Sequence, residues 1–362
     1  MKIQYLAFIR LPTEKAHGLQ IMKTCEALAD AGAEVELVVP GRRTHIKDDP
    51  FSYYGVRKNF TVTELKTPDW VGFGPLGFIA SLLWFSEVVK LRKSFWNADS
   101  IYSRDALVLL QYILLGRPLA YEAHNQPSFF SRVVARCVKK LLVISDGLKK
   151  EYMQSDVPEE RIVLVPDAAD IDLFKNPSSK DEARRMLKLP LAGKIALYVG
   201  RIDSEKGADT FAESSEHLPD GVTAVLVGYG LMKEQYQKRY PRAVFLPETA
   251  YKDLPKVLPA GDVLIIPNSG KTKESAHLTS PLKLFAFMAS GIPIVASDVP
   301  AIREVLSDDT GTLVKPDAPK ALADGISLAL TAGPEKGIRA KQLMERYTWA
   351  SRAERILSAL AV

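Results

Sequence analysis

The sequence predicts an α/β protein built from two doubly wound parallel sheets, and three observations carry that expectation. Apolar, β-branched runs, each short enough to be a strand buried on both faces, alternate with amphipathic helical stretches. The alternation breaks once near the middle of the chain and then starts again. With 362 residues the chain exceeds what one core usually organises, and 47% hydrophobic with 25% charged residues excludes a disordered polymer.

The first alternation opens as β-α-β: a strand over residues 3–9, a helix over 19–31 closed by Gly32, and a strand over 34–39. Further strands are expected at 100–102, 118–122 and 141–145. Between them, residues 70–86 carry no charge, yet Gly72, Gly74, Pro75 and Gly77 interrupt a stretch already shorter than the ~20 residues of a spanning helix. From Leu76 on it reads as a helix packed into the first domain, or as one lying on a bilayer surface. Residues 163–174 and the polar run 175–181 read as a hinge, which puts the domain boundary near 175. The second alternation supplies strands at 195–199, 222–227, 243–246, 263–266 and 293–296. At the end, Ala353, Ile356, Leu357 and Leu360 repeat at helical spacing.

Charge and cysteine narrow the setting. Residues 1–150 hold 21 Lys and Arg against 14 Asp and Glu, whereas residues 151–362 hold 27 against 29, so the net charge of +5 belongs to the first half. Its basic clusters suit solvated helix faces, or contact with an anionic membrane or acceptor. Cys25 and Cys137, far apart and without metal-ligand spacing, read as small core residues in a reducing compartment. The N-terminal apolar run is too short for a signal segment, so a cytoplasmic protein, at most peripheral to the inner membrane face, is expected.

The chemistry concentrates in the second half. The strand 195–199 runs into Gly200-Arg201-Ile202-Asp203-Ser204-Glu205-Lys206-Gly207, which sets two cations just past a strand end between glycines able to make a tight turn. Arg201 can fork two hydrogen bonds to phosphate oxygens and Lys206 can add a point charge, as a leaving diphosphate requires. Further on, Ser280 is a natural N-cap, Pro281 suits the first helical position and Gly291 can close the helix. Its start, residues 280–283, would then present free N–H groups and a dipole to an anion.

Together with Val227-Gly228-Tyr229-Gly230 and residues 261–267 and 291–297, these segments resemble family 4 retaining glycosyltransferases of the GT-B fold. The resemblance covers nearly the whole chain. It implies two Rossmann-like domains facing across a cleft, 1–174 and 175–345, with the segment 346–362 crossing back to the first. It implies metal- and cofactor-free transfer of a hexose from a UDP- or GDP-sugar to a glycan, lipid-linked or small-molecule acceptor, with retention at the anomeric carbon and no nucleic acid involved. By position, Arg201 and Lys206 match the diphosphate clamp, and Ser280, Pro281, Leu282 and Lys283 the phosphate-facing helix start. Gly18, Gly200 and Gly228 match close backbone approaches to the donor, and His124 the histidine near the reacting carbon. One departure stands out: Leu278 and Ala286 occupy positions where the family commonly has two glutamates, the second contacting the nucleotide ribose. Ala286 therefore leaves open an inactivated variant or a non-catalytic donor-binding protein, and the shared architecture leaves open a nucleotide-sugar 2-epimerase.

Overall fold

The computed structural model describes residues 1–361, which form two compact units: Met1–Pro166 joined by the final helix from Trp349, and Asp167–Thr348.

The first unit is built on seven parallel strands: β1 (Lys2–Leu6), β2 (Glu34–Pro40), β3 (Thr61–Leu65), β4 (Ser100–Ser103), β5 (Leu119–Ala123), β6 (Lys140–Val143) and β7 (Ile162–Leu164). They lie in the order β3-β2-β1-β4-β5-β6-β7, so that Tyr5 pairs with Leu37 on one side and Tyr102 on the other. The central strands are buried along nearly their whole length, which is why they read as continuous apolar runs. Strand β3 has no such signature: Thr61-Val62-Thr63-Glu64-Leu65 is a half-exposed edge strand.

The second unit repeats the plan with six parallel strands: β8 (Lys194–Val199), β9 (Val222–Val227), β10 (Val244–Leu246), β11 (Val263–Ile266), β12 (Ile294–Ser297) and β13 (Thr312–Val314). Their order is β10-β9-β8-β11-β12-β13. The chain thus winds in opposite directions from β8 and β11, and the carboxyl end of that pair is the switch point at which open α/β sheets take ligands. The helix Leu282–Ser290 lies in the core beneath, with Leu284, Phe285, Phe287 and Met288 wholly buried.

Several sequence expectations shift. The units exchange at Pro166/Asp167, earlier than residue 175, because the bridge is bonded into the second unit: Ala169 N–H donates to the Tyr347 carbonyl at 3.1 Å and Phe174 is buried in its core. Gly18 falls inside the first helix, Ala16–Asp30, and not ahead of it. Cys25 is buried as expected, but Cys137 ends its helix on the exposed side. The uncharged segment becomes a 3-10 turn, Trp70–Phe73, and a helix, Gly74–Lys90, much of whose apolar surface faces outward.

Candidate functional site

At the switch point of the second unit, β8 ends at Val199 and the chain turns through Gly200, at φ 151°, and Gly207, at φ 69°. Close approach explains these glycines better than flexibility does. A Cβ on Gly207 would fall 1.6 Å from the Pro267 carbonyl oxygen, and one on Gly228, just past β9, 1.8 Å from that of Gly200. Backbone from three adjacent strand ends is thereby gathered into one small region, with the N–H groups of Gly200, Gly207 and Gly228 donating to the carbonyls of Val227, Ser204 and Leu246.

Three cations meet in this region. Lys283, in the first turn of the Leu282–Ser290 helix, runs its stem beside Gly200, whose Cβ position lies 3.7 Å from the lysine Cδ. Its ammonium lies 4.4 Å above the Tyr198 ring, buried, with no hydrogen-bond partner among the described residues. Burial and the nearby charge of Lys206 pull its pKa down from 10.5 to about 7. Burial and Arg201 lower Lys206 in the same direction. Arg201 itself is half-exposed and turned toward Asp203 and Glu205, with its Nη2 3.4 Å from Glu205 Oε2. Two carboxylates thus hold Arg201, whereas the Lys283 ammonium has only the more distant charge of Asp203 to offset Lys206.

The helix start differs from the expected pattern. Ser280 does not cap it, because its Oγ accepts the Asp167 N–H at 3.1 Å. Pro281 occupies the cap position and offers no side-chain acceptor, so the first N–H groups, at Leu282 and Lys283, have no side-chain cap. Gly291 closes the helix in the left-handed region at φ 74°, as expected. Ala286, one turn beyond Lys283, has no exposed surface and packs in the core. Sequence reasoning missed Asn268, which follows β11 and is fully buried with neither its amide nitrogen nor its oxygen partnered among the described residues. A single asparagine after a strand carries no signal in sequence; its orphaned amide appears only once the strands are assembled.

A separate cavity of about 460 Å³ lies at the opposite, amino-terminal ends of the second unit's strands, against Lys194, Asp262 and Pro293. It touches none of the three cations and meets the Leu282–Ser290 helix only at its far end, at Ser290 and Gly291.

In the first unit, His124 follows β5 directly and is enclosed. Its Nε2 meets the Glu122 carboxylate, a contact shared by Gln20 Nε2 at 2.8 Å, Tyr102 Oη and Arg352 Nη2. Burial would raise the Glu122 carboxyl, but Arg352 and His124 outweigh it and hold it well below the usual carboxylate range. Burial and Arg104 in turn lower His124 to about 4, against the pull of Glu122. A neutral imidazole facing an ionised carboxylate must donate from Nε2, which leaves Nδ1 as an acceptor. Gly18 has a packing role in view: a Cβ there would lie 2.1 Å from the Tyr54 hydroxyl, which donates to the Thr13 carbonyl at 2.7 Å.

Residues 193–332 match the family model described as Glycosyl transferases group 1. Over this stretch, which lies within the second unit, the chain is similar to the group 1 glycosyltransferases. It is 30% identical to a teichuronic acid biosynthesis glycosyltransferase, named as putative, from Bacillus subtilis over 64% of this chain and 57% of that protein. It is 25% identical to a D-inositol 3-phosphate glycosyltransferase from Xylanimonas cellulosilytica over 95% and 91%. Among solved structures, Anabaena HepE in complex with UDP-glucose matches with a TM-score of 0.77 at 20% identity, covering 100% of this chain and 99% of HepE. Sucrose-phosphate synthase from Thermosynechococcus elongatus matches with the same TM-score and identity, over 99% and 97%. The fold of this chain is that of GT-B proteins, with the last helix belonging to the first unit.

Proposed function

We propose that this protein is a group 1 glycosyltransferase that transfers a hexose from a UDP- or GDP-sugar to an acceptor hydroxyl with retention, without a metal ion. The observation that carries the proposal is the Lys283 ammonium, buried beside Lys206 at an uncapped helix start and without a hydrogen-bond partner among the described residues. A donor diphosphate supplies that partner. As the bond from the anomeric carbon to the phosphate oxygen lengthens, negative charge grows on the leaving diphosphate. Lys283, Lys206, the helix start and a reoriented Arg201 then hold it more tightly in the transition state than in the ground state. The acceptor oxygen bonds to the anomeric carbon on the same face, and its proton passes to the departing phosphate oxygen, so no protein base is required. The Nδ1 acceptor of His124 suits a hydroxyl of the donor sugar. HepE, crystallised with UDP-glucose, supports a UDP-linked donor by analogy of fold.

Thermal shift against UDP, GDP and their sugars tests the reading, because a ligand that binds only the folded chain raises its apparent stability. At least one nucleotide should raise Tm in the wild type and leave Lys283→Met unmoved. No shift with any nucleotide overturns the proposal. Ala286 favours a second reading, a donor-binding protein without turnover; release of free nucleotide that depends on an added acceptor decides for the transferase.

A further inference from the structure

The Gly74–Lys90 helix sits with its more apolar face outward. Its inner side holds Gly77, Ser81 and Ser86 beside Leu82, Phe85 and Val89. Its outer side carries Leu76, Ile79, Leu83 and Trp84, and the stripe continues into Phe73 before the helix and Leu91 after it. These are not marginal exposures: Leu76 is 81% and Leu91 85% exposed. Scattered surface leucines are common in soluble proteins, but a continuous stripe at helical spacing marks an interaction face.

The helix is fastened to the first unit and cannot leave it. Ser81 Oγ accepts the Trp70 N–H at 3.1 Å and donates to the Pro68 carbonyl at 2.8 Å, and Phe85 is buried against Phe8. With the 3-10 turn before it, the helical stretch Trp70–Lys90 is long and apolar enough by length and composition to cross a membrane, but these contacts hold its inner side in the first unit. It can therefore lie in an interface but not cross one.

Charge and aromatic placement decide which interface. Across residues 70–97 there are three cations, Lys90, Arg92 and Lys93; Lys90 pairs with Glu87 and Arg92 with Glu36, 2.9 Å away, so that Lys93 is the cation that the helix end offers outward. Lys93 is exposed at the end of the stripe. Trp70 and Trp84 meet edge to face at 6.4 Å, and the half-exposed Trp96 donates its indole N–H to the Lys90 carbonyl at 2.8 Å. Tryptophans of this kind settle where hydrocarbon meets headgroups, and lysines just beyond them meet anionic lipid. The partner must offer hydrocarbon and negative charge together, which an anionic bilayer does and a second copy of this basic face does not.

We infer that the Gly74–Lys90 face docks the protein on an anionic membrane surface, its apolar stripe in the headgroup boundary and Lys93 on the headgroups. The inference does not depend on the donor chemistry proposed above, and its test needs no substrate. The full chain is floated with vesicles of phosphatidylcholine alone and of phosphatidylcholine mixed with phosphatidylglycerol. The expected result is binding to the mixed vesicles, weakened by salt, with bilayer-embedded bromine quenching the tryptophan emission. Leu76→Glu and Leu83→Glu, at positions exposed enough to leave folding intact, should each weaken partitioning by about tenfold or more. Lys93→Glu should erode the preference for phosphatidylglycerol. A folded wild type that ignores both vesicle types, or binding that survives the two leucine substitutions, overturns the inference. So does a dimer in light scattering that Leu83→Glu disperses, which would assign the stripe to a second copy.

Discussion

The Lys283 ammonium has a like charge for a neighbour and an aromatic ring beneath it, and folding lowers its pKa from 10.5 to about 7. Between those values the unfolded chain holds a proton that the folded chain has released, so the stability of the ligand-free protein should rise with pH across that window. Donor binding needs the charged form, so donor affinity should fall over the same window. Measuring Tm at intervals from pH 7 to 10, with and without nucleotide, should show the two trends diverge; in Lys283→Met both should flatten. Ala286 lies three residues further along the same helix, where a longer carboxylate could reach Lys283 or a ribose. Ala286→Glu should therefore strengthen donor binding by about 1.5 to 3 kcal/mol, the range for a hydrogen bond to a charged group. Because the site has no exposed surface, a variant with unchanged nucleotide affinity and a lowered Tm would instead mean that the carboxylate finds neither partner.

The final helix, Trp349–Ala361, contributes more than an apolar stripe. Arg352, only 2% exposed, donates to the Val165 carbonyl at 2.6 Å and the Pro166 carbonyl at 2.7 Å, and completes the shell around Glu122. Arg352→Met should cost about 3 to 5 kcal/mol, the penalty for leaving one member of a buried pair uncompensated. It should also raise the His124 pKa by removing a nearby cation, which histidine NMR titration would show as a midpoint above 4. The sequence made this helix visible through Ala353, Ile356, Leu357 and Leu360, but nothing in it links position 352 to 122. Strands followed the same division. Those buried on both faces, such as β8 and β11, announce themselves by composition, whereas β3 is an alternating edge and β7 and β13 are three residues each. At the candidate site the Arg201/Lys206 turn and the Leu282 helix were legible because glycine, proline and charge have local meanings. Ser280 misled because its oxygen is claimed by Asp167, 113 residues away in sequence.

At the scale of the whole molecule, two sheets of nearly the same strand order rest on different chain economies. The second unit is continuous, Asp167–Thr348, while the first needs residues from both sides of it. A fragment of residues 167–348 should fold alone and keep its thermal response to nucleotide, whereas residues 1–348 should yield a folded second unit and a loosened first. Limited proteolysis checks this: protection confined to 167–348 in the longer fragment is the expected pattern, and equal protection of both units would refute it.

The lone arginine that neutralises Glu122 also sets a clock. On the ribosome, the first sheet emerges early with an acidic group at its centre and Arg352 not yet made, and must wait while the entire second unit is made. Only when the closing helix follows can the interior become dry, so the half that appears first is the half that matures last.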